Sequence, residues 1–138
     1  MRMLLRTAVL LGSLAGCPLS STNSECQLDK DCGSDEVCAR DSTCSAASDV
    51  RQVMAVWTIR GGAANVMTCA AHPDLYISFI GADSGDTLGF APVPCQLGQF
   101  MVDKLPSRFK QVELGVEGGT SDRRTIDATG RAVLDLRL

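Results

Sequence analysis

Aromatic side chains are scarce in this 138-residue chain, which has one tryptophan, one tyrosine and four phenylalanines. So few rings argue against the broad stacking platform on which proteins bind sugars or nucleic-acid bases. Histidine is scarcer still, because His72 is the only one. A histidine can act as a general base, but Pro73 beside it predicts a turn, so we expect a structural or surface role.

Motifs of catalysis and phosphate binding are missing as well. No Gly-x-Ser-x-Gly sequence is present to expose a nucleophilic serine. The pairs Gly61-Gly62 and Gly118-Gly119 lack the strand, glycine loop and helix that phosphate binding requires, so both are predicted to be turns. The sequence therefore predicts no catalytic residue, no cofactor and a protein that is not an enzyme.

Charged residues outside such motifs have simple interpretations. Asp83 and Asp86 flank Ser84-Gly85 and are expected to be ordinary turn residues rather than a catalytic carboxylate pair. Arg123 and Arg124 could bind an anion, but we expect them at a solvated hairpin tip. No basic patch indicates nucleic acid as a partner, and no polybasic run indicates electrostatic binding to lipid.

Long apolar runs are also absent, since a transmembrane helix needs about 20 apolar residues. The apolar run at residues 8–14 is shorter; it follows two arginines and precedes two small residues. This order is typical of a secretory signal peptide, which we assign to residues 1–16.

The end of this leader, Leu14-Ala15-Gly16-Cys17, resembles the lipobox of bacterial lipoproteins. The resemblance implies that Cys17 becomes the first mature residue, carries a diacylglycerol and anchors the protein in membrane lipid. Two or three acyl chains anchor stably, whereas one binds only marginally. Pro18, rather than aspartate, follows the anchor, which in the enterobacterial sorting scheme is compatible with the outer membrane of the cell envelope. The alternative is an ordinary secreted protein with an incidental cysteine.

The seven cysteines fit this interpretation. An odd number in an exported chain calls for an explanation, and lipidation of Cys17 leaves an even six. Disulfide bonds persist in the oxidising compartments that exported proteins reach.

Four of these cysteines, Cys26, Cys32, Cys38 and Cys44, are spaced six positions apart in an acidic segment, residues 26–49. Leu28 and Val37 are its only sizeable apolar residues, so the segment needs disulfide bonds to fold. Three pairings are possible, and we favour Cys26–Cys38 with Cys32–Cys44 because interleaved loops compact a short chain. We call this segment the knot.

The knot resembles the cysteine-rich repeats of small bacterial surface modules and, in spacing, the Dickkopf N-terminal region. Uniform five-residue gaps argue against a structural zinc site, which favours gaps of about two to four residues. Asp29-Lys30-Asp31 begins like a calcium loop, but the later positions do not fit an EF-hand. We expect no metal, and a solvated acidic face.

The remaining residues, 50–138, are patterned as strands separated by turns. Val53, Ala55, Trp57 and Ile59 alternate along the first strand, whose faces are both mostly apolar, so it should be well buried. Trp57 is the expected core anchor, and Cys69 should pair with Cys95. We also expect a bend at residues 92–95, a hairpin turn at residues 118–122, and a short strand carrying Ile126.

Residues 100–106 and the strand after them resemble the transthyretin-like sandwiches of carboxypeptidase regulatory-like domains, although Ser107-Arg108-Phe109 replaces the usual glycine and tyrosine. An immunoglobulin-like topology fits the strand count nearly as well. The predicted fold class is all-β: a small antiparallel β-sandwich preceded by a disulfide-rich irregular segment.

The predicted organisation is a signal peptide (1–16), an acylated cysteine with a flexible tether (17–25), the knot (26–49) and the sandwich (50–138). It indicates a lipid-anchored envelope protein that binds an unknown envelope or extracellular protein or has a structural role. The alternatives are a small hydrolase, an accessory subunit of an enzyme, or an inhibitor of a secreted protease acting through the knot.

Overall fold

The structure, a computed structural model, describes residues 26–83 and 85–138. Cys17, the leader and the tether predicted before the knot lie outside the described residues. The described part forms ten strands: β1 (Glu36–Cys38), β2 (Cys44–Ala46), β3 (Val50–Ile59), β4 (Gly62–Ala63), β5 (Asp74–Gly81), β6 (Thr87–Pro94), β7 (Gln99–Pro106), β8 (Phe109–Gly115), β9 (Ser121–Thr125) and β10 (Arg131–Leu136). Single 3-10 turns lie at Asp29–Asp31, Ala47–Asp49 and Cys95–Leu97. None of the helical segments described is long and apolar enough to span a membrane.

Strands β3 to β10 form two sheets. In the first, β3 is central and pairs with β10 on one side. On its other side β3 pairs with β7 along residues 50–56 and with β4 at Thr58 and Ile59. The second has the order β6-β5-β8-β9 and is antiparallel throughout. The predicted all-β sandwich is confirmed, and the β3–β10 pair is a parallel exception in it.

The core between the sheets is built by the alternation of side chains along each strand. On β3, Val53, Ala55, Trp57 and Ile59 are all buried, as expected. The second sheet contributes Leu75, Ile77, Phe79, Val112 and Leu114 to the same core. Leu134 and Leu136 of β10, the neighbour of β3 in the first sheet, are buried in it as well. The other face of β3 is less covered than expected, because Met54 and Val56 are only half-buried on the outside of the first sheet.

Three local predictions are wrong. β6 continues through Pro92 to Pro94 where we expected a bend, since proline is tolerated on an edge strand that needs no further N–H donors. Ser121 and the residue after it belong to β9 rather than to a turn. Ile126 lies just beyond β9, where it is buried although it is not part of a strand.

The knot contains the short antiparallel hairpin β1–β2 and two disulfide bonds, Cys26–Cys38 and Cys32–Cys44, which is the expected pairing. It docks at one end of the sandwich. The Arg40 N–H donates to the Lys104 carbonyl at 2.9 Å, and the Ser107 N–H donates to the Asp49 carbonyl at 2.7 Å. We call this the knot end.

The opposite end, the loop end, is formed by the turn after β3, the loop at residues 64–73 and the Cys95–Leu97 turn. β3 runs from one end to the other, and ten residues at about 3.3 Å each separate the two by about 30 Å. Because Cys26 lies in the knot, any segment preceding it enters the molecule at the knot end.

Candidate binding surface at the loop end

The loop at residues 65–71 is an ordered turn fixed by its own polar side chains. The Asn65 side-chain oxygen accepts hydrogen bonds from the N–H groups of Met67 (2.9 Å) and Thr68 (3.0 Å). The Thr68 hydroxyl donates to the Ala63 carbonyl at 3.0 Å. Asparagine and threonine stabilise turns through such bonds, so this segment has a defined shape without belonging to a sheet.

A disulfide bond ties this loop to the rest of the loop end. Cys69 bonds to Cys95, as expected, and both are buried. The Trp57 indole N–H donates to the Cys95 carbonyl at 2.9 Å, and the Cys95 N–H donates to the Pro73 carbonyl at 2.8 Å. The loop is therefore attached to the centre of the core through one covalent bond and a buried hydrogen bond.

Apolar side chains project from this fixed frame into solvent. Met67 is 85% exposed, Val66 68% and Leu97 58%. Single exposed apolar residues are common, but here three lie on two turns that the Cys69–Cys95 bond joins. Exposed apolar groups held by a rigid scaffold are typical of interaction sites.

Two clefts that share Asp74 open beside these turns. The first has a volume of about 350 Å³ and is walled mainly by Val66, Pro73 and Pro94, with Gln96 at its edge. The second, of about 270 Å³, is lined by the half-buried Tyr76 together with Ala91, Pro92 and Glu117. The mainly apolar walls of the first cleft, with few polar groups, are the usual composition of a ligand-binding cleft. The second is more polar, since Asp74, Tyr76 and Glu117 all line it.

Tyr76 is held in place by a polar network on the outer face of the second sheet. Its hydroxyl donates to Glu113 Oε1 at 2.7 Å, and Arg123 donates to Glu113 Oε2 at 2.6 and 2.8 Å. Burial and the hydrogen bond to Glu113 raise the pKa of Tyr76, so it remains a donor at neutral pH. Burial alone would raise the pKa of Glu113, but the bonds from Tyr76 and Arg123 outweigh it and lower that pKa.

A further shallow cavity of about 360 Å³ at the loop end lies between Arg60 and Arg137. Asp135, also in its lining, accepts hydrogen bonds from the Gly61 N–H and the Thr58 hydroxyl, both at 2.7 Å. These two bonds lower the pKa of Asp135, so its charge offsets one of the two arginines. The lining therefore keeps the positive charge of a single arginine.

The prediction that the acidic face of the knot is solvated is in part wrong, because two of its acidic residues form ion pairs with the sandwich. Asp29 accepts hydrogen bonds from Lys104 Nζ at 2.7 Å, and Asp41 is paired with Arg108. Arg40 is paired with Asp103 as well. The hydrogen bond from Lys104 is the main cause of a lowered pKa at Asp29. Burial opposes ionisation of Asp41, but hydrogen bonds from Thr43 and Arg108 lower its pKa nonetheless.

The residues first considered for chemistry lie apart. His72 is half-buried just after the loop at residues 65–71 and before β5, and not in a turn at residues 72–74 as expected. Its side chain forms no hydrogen bond or ion pair within the described part of the chain. Asp86 binds Arg108 at 2.8 Å near the knot end. The expected hairpin-tip position of Arg123 and Arg124 is wrong: both lie on β9, and each is paired with a carboxylate, Arg124 with Asp122 at 3.1 Å.

The sulfurs of the knot are the closest approach to a metal-binding group among the described residues. The Sγ atoms of Cys26, Cys32 and Cys44 lie within 4.8 Å of one another. All three belong to disulfide bonds, whereas zinc binds cysteine as the thiolate. In this oxidised form they serve as crosslinks.

No protein-family model, curated protein or solved structure matches the chain. The candidate surface therefore stands on geometry alone. Sequence reasoning missed it because Val66 and Met67 precede a cysteine in a segment without clear periodicity. The signal available was Asn65 three residues before Thr68, a pattern that favours a capped turn.

Proposed function

We propose that this protein is a lipid-anchored lipoprotein of the bacterial cell envelope that acts without catalysis, by binding a protein partner through its loop end. Cys17 carries the lipid, and the tether and the knot connect it to the sandwich. Membrane lipid is the first partner, and a protein of the envelope or the extracellular space is the second.

One observation carries the proposal: the exposed apolar turns lie at the end of the sandwich opposite the knot. An anchor attached before Cys26 enters at the knot end, about 30 Å away along β3. The loop end would then face away from the membrane. The three disulfide bonds also suit an oxidising envelope compartment.

The knot is better supported as a mount for the sandwich than as a protease inhibitor. Asp29, Arg40 and Asp41 all form ion pairs with the sandwich, so the face that carries them is occupied. An inhibitor needs an accessible segment that enters a protease site, and these contacts remove part of the knot from that role.

Membrane fractionation of cells tests the anchor. The wild-type protein is expected in the membrane fraction, and Cys17→Ala is expected to lose this partitioning because no acyl chain can be attached. Cys69→Ala provides a control that removes a different cysteine. A Cys17→Ala protein that still partitions fully with membranes would contradict lipid anchoring.

Site-specific photo-crosslinking in intact cells tests the loop end. A photoreactive amino acid at Met67 is expected to give a discrete crosslinked protein, whereas one at Asp35, an exposed position in the knot, is not. Crosslinking from Met67 should disappear when Val66 and Leu97 are both replaced by serine. Equal crosslinking from both positions, or insensitivity to those substitutions, would argue against binding through the loop end.

A further inference from the structure

The two clefts adjoin at Asp74, which lines both. Their combined lining runs from the fixed loop at Val66 to Glu117 after β8. A volume of about 350 Å³ in the first cleft is enough for one long side chain, and the second is slightly smaller. The surface therefore suits two neighbouring groups of an elongated ligand.

The charged side chains that line the two clefts are all negative. Asp74 and Glu117 are its ionisable carboxylates, and neither forms an ion pair or a side-chain hydrogen bond within the described residues. No lysine, arginine or histidine lines either cleft. Most other carboxylates named above have a basic partner, so the negative potential here is uncompensated and favours a cation.

The cation is better supplied by an organic group than by a metal ion. Among the described residues, Asp74 and Glu117 do not converge with a third carboxylate, histidine or cysteine to form a ligand set. In the second cleft, which holds both carboxylates, the only other side-chain oxygen is the Tyr76 hydroxyl, already bonded to Glu113, and the remaining lining residues are apolar. Those apolar residues favour the aliphatic stem of a lysine or arginine side chain.

A peptide ligand is also more favourably bound through its side chains than by adding a strand to the edge of the sheet. Pro92 and Pro94 lie on edge strand β6 beside the clefts and have no N–H group to donate to an added strand. The Cys69–Cys95 bond and the Trp57 hydrogen bond fix the cleft walls before binding. A preformed cleft needs little ordering when its ligand binds.

We propose that these clefts bind a protein segment in which a lysine or arginine side chain adjoins an apolar side chain. The cation lies near Asp74 and Glu117, and the apolar side chain packs against Val66, Pro73 and Pro94. This inference rests on the proposed binding role of the loop end and names the chemistry of its partner. It does not depend on lipidation of Cys17.

Peptide titration of the full chain in detergent, followed by amide NMR, tests the proposal. The probe is an acetylated, amidated Gly-Leu-Lys-Leu-Gly peptide, and matched peptides carry glutamine or glutamate in place of lysine. The lysine peptide is expected to shift the amide signals of Asp74, Gln96 and Glu117 and to bind about two- to fivefold more tightly than the glutamine peptide. Binding of the lysine peptide should weaken with added salt.

Matched carboxylate variants complete the test. Asp74→Asn should weaken binding of the lysine peptide by about twofold and leave the glutamine peptide unaffected. Asp83→Asn, which neutralises an exposed carboxylate at the knot end, should change neither. Glu117→Gln replaces Asp74→Asn if the latter alters the spectrum of the free protein.

Equal binding of the lysine and glutamate peptides, or binding unchanged in the carboxylate variants, would overturn the inference. So would the failure of every peptide to shift the cleft signals. In that last case, position-specific crosslinking from Met67 would still support binding through the loop end, so the two proposals fail separately.

Discussion

The indole N–H of Trp57 donates a buried hydrogen bond of 2.9 Å to the carbonyl oxygen of Cys95, one partner of the Cys69–Cys95 bond. Trp57 is a buried core residue of β3 and Cys95 lies at the base of the loop end, so this bond couples sandwich packing to the shape of the candidate binding surface. Neither residue type alone would predict it, because the two positions are 38 residues apart.

Trp57→Phe should therefore destabilise the protein by about 0.5–1.5 kcal/mol, because the Cys95 carbonyl loses the indole donor and keeps only the Gly98 N–H, at 3.3 Å. Trp57→Ala should cost about 3–5 kcal/mol, since it also creates a cavity. Urea unfolding measures both, and amide exchange at residues 65–71 should quicken in Trp57→Phe. Wild-type stability and wild-type exchange in Trp57→Phe would show that the hydrogen bond does not support the loop.

Gly130 provides a contrast with Gly118. Both have a left-handed backbone, with φ of 79° and 69°, so alanine is strained at either position by about 1–2 kcal/mol. A Cβ at Gly130 would also collide with the Gln52 carbonyl, whereas one at Gly118 would meet nothing within 4 Å. We expect Gly118→Ala to cost about 1 kcal/mol and Gly130→Ala about 2–4 kcal/mol in urea unfolding. Equal losses of unfolding free energy in the two variants would show that the turn before β10 shifts to accommodate the added methyl group.

Docking of the knot should depend on pH through Asp29 and Asp41, whose pKa values are both lowered in the folded protein. The unfolded chain binds protons more readily, with carboxyl pKa values of about 3.9. The stabilisation that ionised Asp29 and Asp41 provide is therefore complete at a pH above the pKa of the unfolded chain. It is lost as the pH falls from about 4 through the lower pKa of the folded state.

Thermal unfolding between pH 6 and pH 2 measures this effect. Lys104→Met should flatten the loss of stability below pH 4, because Asp29 loses the ammonium group that lowers its pKa. Lys110→Met is the control: Lys110 is exposed and forms no ion pair with a described residue, so its variant should follow the wild-type pH profile. A Lys104→Met profile identical to the wild type would contradict a role for this ion pair.

The parts of the fold that could be predicted are those where one face of a strand is buried. Val112 and Leu114 alternate with polar residues, and that period of two identified β8 because its inner face meets the core. Trp57 could be assigned to the core for the same reason. Cys69 and Cys95 could be paired because they are the only cysteines in residues 50–138. The all-β class followed from several such strands and turn residues.

The rest depends on contacts between distant residues. The sequence of β9, Ser-Asp-Arg-Arg-Thr, is entirely polar and therefore resembles a turn. It forms a strand nonetheless, because an edge strand can be polar on both faces. The parallel pairing of β10 with β3 depends on where the chain returns after β9, and alternation along either strand does not encode that. The Asp74 clefts likewise require residues 66 to 117 to be brought together by folding.

Asp122 shows how an edge strand uses an inward-facing charge. Its Oδ2 accepts a hydrogen bond of 2.8 Å from the Asp135 N–H on β10 and another from Arg124. It thereby occupies a backbone donor on an edge of the first sheet and joins the two sheets on the side of β9 and β10. Charged side chains that cover sheet edges also oppose edge-to-edge association.

Asp122→Ala should therefore cost about 1–3 kcal/mol, because it leaves the half-buried Asp135 N–H without an acceptor. Asp122→Asn keeps an oxygen acceptor in place and should cost less. Urea unfolding gives the stabilities, and amide hydrogen exchange at Asp135 reports on the hydrogen bond itself. The Asp135 amide hydrogen should exchange faster in the alanine variant. If that amide remains as protected in Asp122→Ala as in the wild type, another group closes this edge and Asp122 does not join the two sheets.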